Sequence, residues 1–428
     1  MIDVAADTRH SYLLGGSVGA SSPFTVAKAL GSEIWDTTGK RYIDCTAQAW
    51  SLSLGHSHPR IIEAVSEHLK NYGHIRTSFD TEPKLKLAEK LLEIAPGMQK
   101  VAFYLSGSEA VEASIKLALR NKNESSRSST VVALEEGFHG RTFATSALSW
   151  EGPNYNPFKA WMNQPVTRMK SAYCYHCPVG KEFSSCHYEC VELGNAGYQP
   201  IAFIMEPFPG NGGMIKFPPD YLKKMREKVD ERESLLIFDE IQTGIGRLGD
   251  WFAYTKYKVM PDILVIGKGL GGGFPLFAVL TGEKIKNGFQ PGDHSFTFAH
   301  FSPSMVAALE TIAVIEEEEI LDNVQVMGEQ VVTRLEKMKQ KYKFIGDVRG
   351  DGLMIGIEIV KEGSKEPAPI LTHKLVERAM ERGVIFGEAK YGGLGNIIKI
   401  KPPLNISDEL MTEALDVLED IFSKVIPY

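Results

Sequence analysis

Four short clusters in this 428-residue sequence combine residue types that chemistry can use. Lys268 ends the apolar run Asp262-Ile263-Leu264-Val265-Ile266-Gly267 and precedes Gly269, Gly271, Gly272 and Gly273. A lysine in a glycine-rich turn beyond a buried strand can approach a ligand closely. Partial desolvation would lower its pKa and favour Schiff-base chemistry; the alternative is a solvated turn lysine. Asp239-Glu240 follows the apolar run Leu235-Leu236-Ile237-Phe238. A partly buried carboxylate needs a partner or changes protonation state, and a cationic ring nitrogen would be such a partner. Ser106-Gly107-Ser108-Glu109-Ala110 is a small-residue turn feeding a predicted helix at about Ala110. Free backbone N–H groups and the helix dipole there suit a phosphate, unless Ser108 merely caps the helix. Phe138-His139-Gly140-Arg141-Thr142 puts an aromatic, a histidine and an arginine at another strand end. The plainer reading is a packed Phe and a solvated Arg.

The surrounding pattern predicts the elements that position these clusters. Val101–Leu105, Thr130–Leu134, Ile201–Met205, Leu235–Asp239 and Ile263–Ile266 read as buried strands, with helical stretches between several of them. That alternation predicts an α/β fold with a mostly parallel sheet and helices on both faces. Ligands in such sheets sit beyond the carboxyl ends of the strands, where all four clusters fall. Ala29–Trp35 and Arg41–Asp44 read as a small antiparallel sheet, and Pro83–Ile94 as a helix. After residue 310 come a long charged helix containing Glu316–Glu319, strands at Gly352–Val360 and Asn396–Ile400, and a last amphipathic helix near Leu410–Ile421. We expect residues 1–58 and 309–428 to build a smaller α+β domain, and 59–308 a large ligand-binding domain. Lys122–Ser129 reads as a surface loop.

Composition narrows the function classes. The chain is 43% hydrophobic and 24% charged, ordinary for a globular protein, with a net charge of −7 that gives no global field for nucleic acid. No apolar run approaches the ~18 residues of a membrane span. Met1–Tyr12 has no apolar signal core, so the cytoplasm is the expected compartment and a membrane partner is not expected. Gly244-Ile245-Gly246-Arg247-Leu248-Gly249 matches a dinucleotide fingerprint, but the acid that should end the next strand, Asp262, stands at its start. Lys268 is followed by Gly269, so no Walker-type loop is present.

Taken together, Gly55-His56-Ser57-His58-Pro59, Ser106–Ala110, Phe138–Thr142, Glu206-Pro207, Asp239-Glu240-Ile241-Gln242-Thr243-Gly244, Gly267–Gly273 and Pro402-Pro403-Leu404 make the chain resemble the class III aminotransferases, pyridoxal 5′-phosphate (PLP) enzymes of fold type I. The resemblance implies that Lys268 forms the Schiff-base link to the PLP aldehyde and shuttles the substrate proton. It implies that Asp239 pairs with the pyridinium nitrogen, Phe138 stacks on the ring and Gln242 lies near the phenolic oxygen. Gly107 and Ser108 would hold the phosphate, and His139 and Glu206 also fall in the implied cofactor site. Thr297 matches a threonine that completes the phosphate site from a neighbouring subunit, which implies a homodimer or a dimer of dimers with shared active sites. Amines or amino acids and 2-oxo acids would be the substrates.

Two positions depart from the pattern of glutamate-using relatives. Lys399 replaces the arginine that binds the substrate α-carboxylate, and Asn211 replaces the glutamate that masks it. Lysine lacks the bidentate fork, so the glutamate/2-oxoglutarate pairing is in question, with Lys399 either a weaker carboxylate ligand or a strand surface residue. Arg141 is then the best carboxylate candidate. Trp50 falls at a substrate-pocket position, where an indole would narrow the pocket; core packing is the alternative. The expected activity is transfer of an amino group from a small amine or amino acid to a 2-oxo acid such as pyruvate. The alternative is a racemase or epimerase of amino acids or their lactams, which needs a second acid–base group on the opposite face of Cα; His300 is the candidate.

Four of the five cysteines, Cys174, Cys177, Cys186 and Cys190, fall in an insert near 171–195. The spacing C-x₂-C-x₈-C-x₃-C leaves a zinc site, a disulfide pair and free thiols all open, and none is assigned to catalysis.

Overall fold

The computed structural model describes residues 23–122, 128–150, 153–194, 199–285, 287–389 and 395–425. The expectations for Met1–Tyr12, and for most of the Lys122–Ser129 loop, lie outside the described residues. The large sheet has seven strands in the order β4-β10-β9-β8-β7-β5-β6. They are β4 (Lys100–Tyr104), β5 (Val131–Leu134), β6 (Val166–Met169), β7 (Ala202–Met205), β8 (Leu235–Asp239), β9 (Ile263–Ile266) and β10 (Phe277–Thr281). The run β9-β8-β7-β5-β6 is parallel, and only β10 runs against its neighbours.

Every residue of β5, β7, β8 and β9 is buried, because helices cover both faces of the sheet. Alternate residues feed two cores. Leu236, Phe238, Leu264 and Ile266 join one, with Tyr221 and Met225 of helix Tyr221–Glu231 and Met305 and Ile312 of helix Ser302–Glu317. Leu235, Ile237, Ile263 and Val265 join the other, against Val111 and Leu117 of helix Gly107–Arg120.

The N-terminal sheet is β1 (Val26–Leu30), β2 (Glu33–Asp36) and β3 (Arg41–Asp44), so the expected single strand over 29–35 is broken at Gly31-Ser32, where Gly31 adopts a left-handed φ of 55°. A C-terminal strand, β13 (Val384–Ile385), adds in parallel to β3 and joins the two chain ends. The third sheet, β11-β12-β15-β14, comprises β11 (Ile345–Asp351), β12 (Met354–Ile359), β14 (Gly387–Glu388) and β15 (Ile397–Ile400). The expected long helix through Glu316–Glu319 is two helices, Ser302–Glu317 and Ile320–Lys341, with Glu319 turned to a φ of 51° between them.

The cysteine insert has only short 3₁₀ turns at Cys174–His176, Phe183–Ser185 and Glu189–Gly194. A charged network fastens it to the third sheet. Buried Glu358 of β12 accepts hydrogen bonds from Arg349 Nη1 (2.8 Å), Asn396 Nδ2 (3.3 Å) and Tyr173 Oη, and its Oε1 lies 2.6 Å from His176 Nε2. Arg349 also donates to the carbonyls of Gly213 and Met214. Burial alone would raise the Glu358 pKa, but Arg349, Tyr173 and His176 hold it below the usual value. Glu358→Ala leaves Arg349 buried and short of its main counter-charge, with Asp347 its remaining carboxylate partner. We expect a loss of about 3–5 kcal/mol in urea unfolding.

Candidate active site

The carboxyl ends of the parallel strands open onto a cavity of about 220 Å³. It is lined by Lys268, Asp239, Gln242, Glu206, Phe138, His139, Arg141, Gly107 and Ser108, so nine of the twelve predicted site residues meet there. Gly140, Ile241 and Phe277 complete the lining. A larger cleft of about 600 Å³ lies between Phe344 and Val425, but it is walled by apolar residues and exposed charges and brings no buried acid and base together.

Lys268 lies two residues past the end of β9, in a left-handed conformation (φ 46°) that a β-carbon disfavours. Gly267 before it is extended, and its requirement is space: an added Cβ would lie 1.9 Å from the Phe277 ring. The Lys268 amine is buried, which lowers its pKa to about 8 against the opposing pull of Glu206 and Asp239. Asp239 ends β8 and is 2% exposed. Its expected need for a partner is met inside the protein, since Oδ2 stands 2.7 Å from His139 Nδ1, and Oδ1 accepts from the N–H of Ile241 (3.2 Å). Glu206 is buried and accepts the N–H groups of Phe138 (2.9 Å) and Gly210 (3.2 Å), with burial raising its pKa to about 7. Glu240, beside Asp239, points elsewhere. It accepts from Ala253 N, Tyr254 N and Thr243 Oγ1 and is structural.

The helix after β4 begins at Gly107, three residues earlier than expected, and its cap is Ser106. Ser106 Oγ accepts from Glu109 N, and the Glu109 carboxylate accepts from Ser106 N, a reciprocal box. Ser108 is thereby freed from capping. Its hydroxyl accepts the Arg141 N–H at 3.1 Å, and the N–H groups of Gly107 and Ser108 have no acceptor among the described residues. Gly140 lets these segments meet, since a Cβ there would lie 2.4 Å from Ser108 Oγ. Two more buried polar atoms at the cavity lack partners, Gln242 Oε1 and His139 Nε2. This donor and acceptor set fits a phosphorylated aromatic aldehyde: an anion at the helix N-terminus, a carboxylate for a ring nitrogen and an amine for the aldehyde.

Trp50 and Lys399 stand beside this cavity. Ala47, Gln48, Ala49 and Trp50 form a left-handed turn, with φ between 43° and 67°. Each such non-glycine residue costs roughly 1–2 kcal/mol, a cost concentrated where the chain meets the site. The Trp50 ring has Lys268 Nζ 4.9 Å, Lys399 Nζ 5.3 Å and Lys401 Nζ 4.0 Å from its centroid. Lys399 is 5% exposed and so is no strand surface residue. Two predicted residues are not brought in. Thr297 is exposed and does not line the cavity of its own chain. His300 is also absent from the lining; Lys84 and Asp80 are the charged groups that act on it. Lys401 and Phe277 were missed by sequence reasoning. The sequence signal for Lys401 is only its i, i+2 spacing from Lys399, one residue past the end of β15.

Burial brings the Lys399 pKa down to about 8, with Lys268 adding to the drop. The unfolded lysine keeps its proton up to about pH 10.5. Between about 8 and 10.5 the unfolded state therefore binds more protons, and the native state gains stability as pH rises. Below 8 the buried ammonium is a net cost. Lys399→Met is expected to raise the unfolding free energy by about 3 kcal/mol at neutral pH. That gain should shrink as pH climbs from 8 towards 10.5, a trend that thermal melts across pH will read.

All four insert cysteines line one small pocket without forming a disulfide, and Cys177 Sγ accepts the Lys181 N–H at 3.4 Å. Among the described residues no three His, Cys, Asp or Glu side chains are grouped so as to hold a metal ion. Burial raises the Cys190 thiol to about 11. No described helix is long and apolar enough to cross a membrane.

Comparison with known proteins agrees with this geometry. The leucine/methionine racemase of Thermococcus litoralis is 36% identical over 415 residues, covering 94% of this chain and 91% of that protein. The acetylornithine aminotransferase of Methanothermobacter thermautotrophicus is 34% identical over 403 residues, covering 94% of each chain. The crystal structure of a Bacillus anthracis aminotransferase superposes with a TM-score of 0.87 at 29% identity, covering 98% of each chain. The family described as aminotransferase class-III matches residues 17–422, and the chain belongs to that family.

Proposed function

We propose that this enzyme uses PLP to move an amino group from a small amine or amino acid to a 2-oxo acid, with pyruvate among the acceptors. The observation that carries the proposal is the buried Lys268 amine sharing one cavity with the Asp239–His139 pair. PLP, when bound, supplies an electron sink for negative charge at the substrate α-carbon. Lys268 would hold the aldehyde and, with its pKa lowered to about 8, could both accept and return a proton near neutral pH. Asp239, held by His139, keeps a negative charge where the ring nitrogen would lie. The N–H groups of Gly107 and Ser108 would take the phosphate, and Gln242 would lie near the phenolic oxygen. Glu206 is a positioning residue: it fixes the backbone of Phe138, whose ring lies 5.3 Å from the Arg141 guanidinium carbon. Arg141 and Lys399 receive the substrate carboxylate, and Trp50 limits the substrate's size. Exposed Thr297 would complete the phosphate site of a second copy, which makes the working unit a homodimer. The large domain then spans 59–308 and the small domain joins 1–58 to 309–428.

The test is to incubate the cofactor-loaded enzyme with single amines and amino acids, without acceptor, and follow cofactor absorbance. Conversion to the aminated cofactor by at least one donor, reversed by pyruvate, is expected; no spectral change with any donor would contradict amino transfer. A second reading, inversion at the α-carbon, is favoured by the second buried amine beside the site, Lys399. Deuterium incorporation at Cα without accumulation of aminated cofactor would support it.

A further inference from the structure

The cysteine insert serves no step of amino transfer, yet its four thiols are gathered at one pocket of about 20 Å³. Cys174 lies within electrostatic reach of Cys177, Cys186 and Cys190. Cys174 opens the 3₁₀ turn Cys174–His176 and Cys177 closes it. Pro178 stops the turn there: Cys177 has ψ 122°, the extended value that a residue before proline takes. A 3₁₀ helix has three residues per turn and rises about 2 Å per residue, so positions i and i+3 eclipse one another about 6 Å apart. A disulfide spans roughly 4.4–6.8 Å between α-carbons. Cys174 is exposed, and Cys177 is half-buried with its Sγ held by the Lys181 N–H at 3.4 Å. Cys186 and Cys190 are less suited, since left-handed Tyr188 (φ 62°) stands between them and Cys190 is buried.

The two residues enclosed by Cys174 and Cys177 dock the insert onto the third sheet. A Cβ on Gly346 of β11 would stand 2.4 Å from Tyr175 Oη, so the glycine makes room for that hydroxyl. The Tyr175 carbonyl accepts from Lys365 Nζ at 3.1 Å, and His176 Nε2 lies 2.6 Å from Glu358 Oε1. From Glu358 the contacts run through Arg349 to the carbonyls of Gly213 and Met214, in the segment that starts at Glu206. Cys177 and His176 also share the lining of one cleft, about 330 Å³, with Gly212 and Glu136, close in sequence to the site residues Glu206 and Phe138.

We propose that Cys174 and Cys177 are a reversible dithiol–disulfide pair, and that closing it clamps the insert onto the third sheet and steadies the active-site segment 206–214. The oxidant is a small disulfide of the glutathione type. The exposed Cys174 thiolate attacks one glutathione sulfur, the glutathione S–S bond breaks and one glutathione thiolate leaves. The Cys177 thiolate then attacks Cys174 Sγ in the mixed disulfide and releases the second. The pair gives up two electrons and two protons, and two molecules of reduced glutathione carry them away. Burial and the neighbouring thiols keep the Cys174 thiol above its ordinary value, which makes the first attack slow. The loop closed is short, so the bridge gains little from chain entropy and reopens under reductant. Its effect is local, and it does not depend on which reaction the site catalyses.

The test incubates the full-length, cofactor-loaded enzyme for hours with oxidised glutathione or with dithiothreitol. Free-thiol titration, peptide mass mapping without reductant and amide hydrogen exchange are then compared. Oxidised glutathione should remove two of the five free thiols and leave the tryptic peptide 171–181 lighter by two hydrogens. Exchange should slow by about 10-fold or more in residues 171–177 and 212–215, and dithiothreitol should reverse both changes. Cys177→Ser should match wild type under dithiothreitol yet show no slowing at 212–215 with oxidised glutathione, whereas Cys186→Ser should slow as wild type does. The wild-type comparison needs no variant, so it decides the matter even where Cys177→Ser fails to fold. A bridge to Cys186 or Cys190, or no loss of thiols, would overturn the proposal. So would a closed pair that leaves exchange at 212–215 unchanged, or one equivalent of added zinc that shields all four thiols from the oxidant.

Discussion

Lys268→Ala should lower turnover by on the order of 10⁴-fold or more, because one side chain would be both the attachment point and the proton carrier. No other described side chain combines its features: burial in the cavity, a pKa lowered to about 8 and two carboxylates within electrostatic reach. Lys399 comes nearest but stands outside the cavity lining, so it should not take over the covalent link. The same substitution should stabilise the cofactor-free protein at neutral pH. It removes a buried ammonium, while the left-handed backbone strain stays, since Ala retains the β-carbon. A variant that is inactive yet melts higher separates loss of chemistry from loss of fold. Activity near wild type with altered cofactor absorbance would remove Lys268 from the reaction.

Asp239→Asn should cost on the order of 10³-fold in turnover while the protein stays folded. The amide keeps the shape of the side chain and can still accept from the Ile241 N–H. It loses the negative charge that a protonated ring nitrogen would require, in a site where burial leaves little solvent to compensate. Asp239→Ala removes the partner of His139 Nδ1 as well and should add a stability loss of about 1–3 kcal/mol. A turnover loss confined to the alanine variant would assign Asp239 a structural role through His139 rather than an electrostatic one towards the cofactor.

How much of this was legible in the sequence depends on where each signal lies. Strands β8 and β9 are buried on both faces, so each reads as an unbroken apolar run, and the expected bounds of Leu235–Asp239 and Ile263–Ile266 agree with the structure. Their carboxyl ends therefore located Asp239 and Lys268 directly. Edge strand β6, Val-Thr-Arg-Met, is only half-buried and carries no such run. Strand β10 was missed although Phe277–Thr281 is apolar, because it runs antiparallel immediately after the glycine-rich turn and breaks the βα alternation that guided the reading. The cap at Ser106 could have been read from the Ser-x-x-Glu pattern of Ser106 and Glu109. The partner of Asp239 could not: His139 lies 100 residues away and is brought in by the tertiary fold alone. Nor does a two-residue periodicity on a strand announce that Lys399 and Lys401 both reach one tryptophan. That contact depends on the left-handed turn at Ala47–Trp50, which local propensity disfavours.

Reduction of the PLP-loaded protein with borohydride, followed by peptide mass mapping, tests most directly whether the enzyme works through a Schiff base on Lys268. A phosphopyridoxyl group fixed on Lys268 is expected. The label on Lys399, Lys401 or another lysine, or no stable label at all, would contradict it.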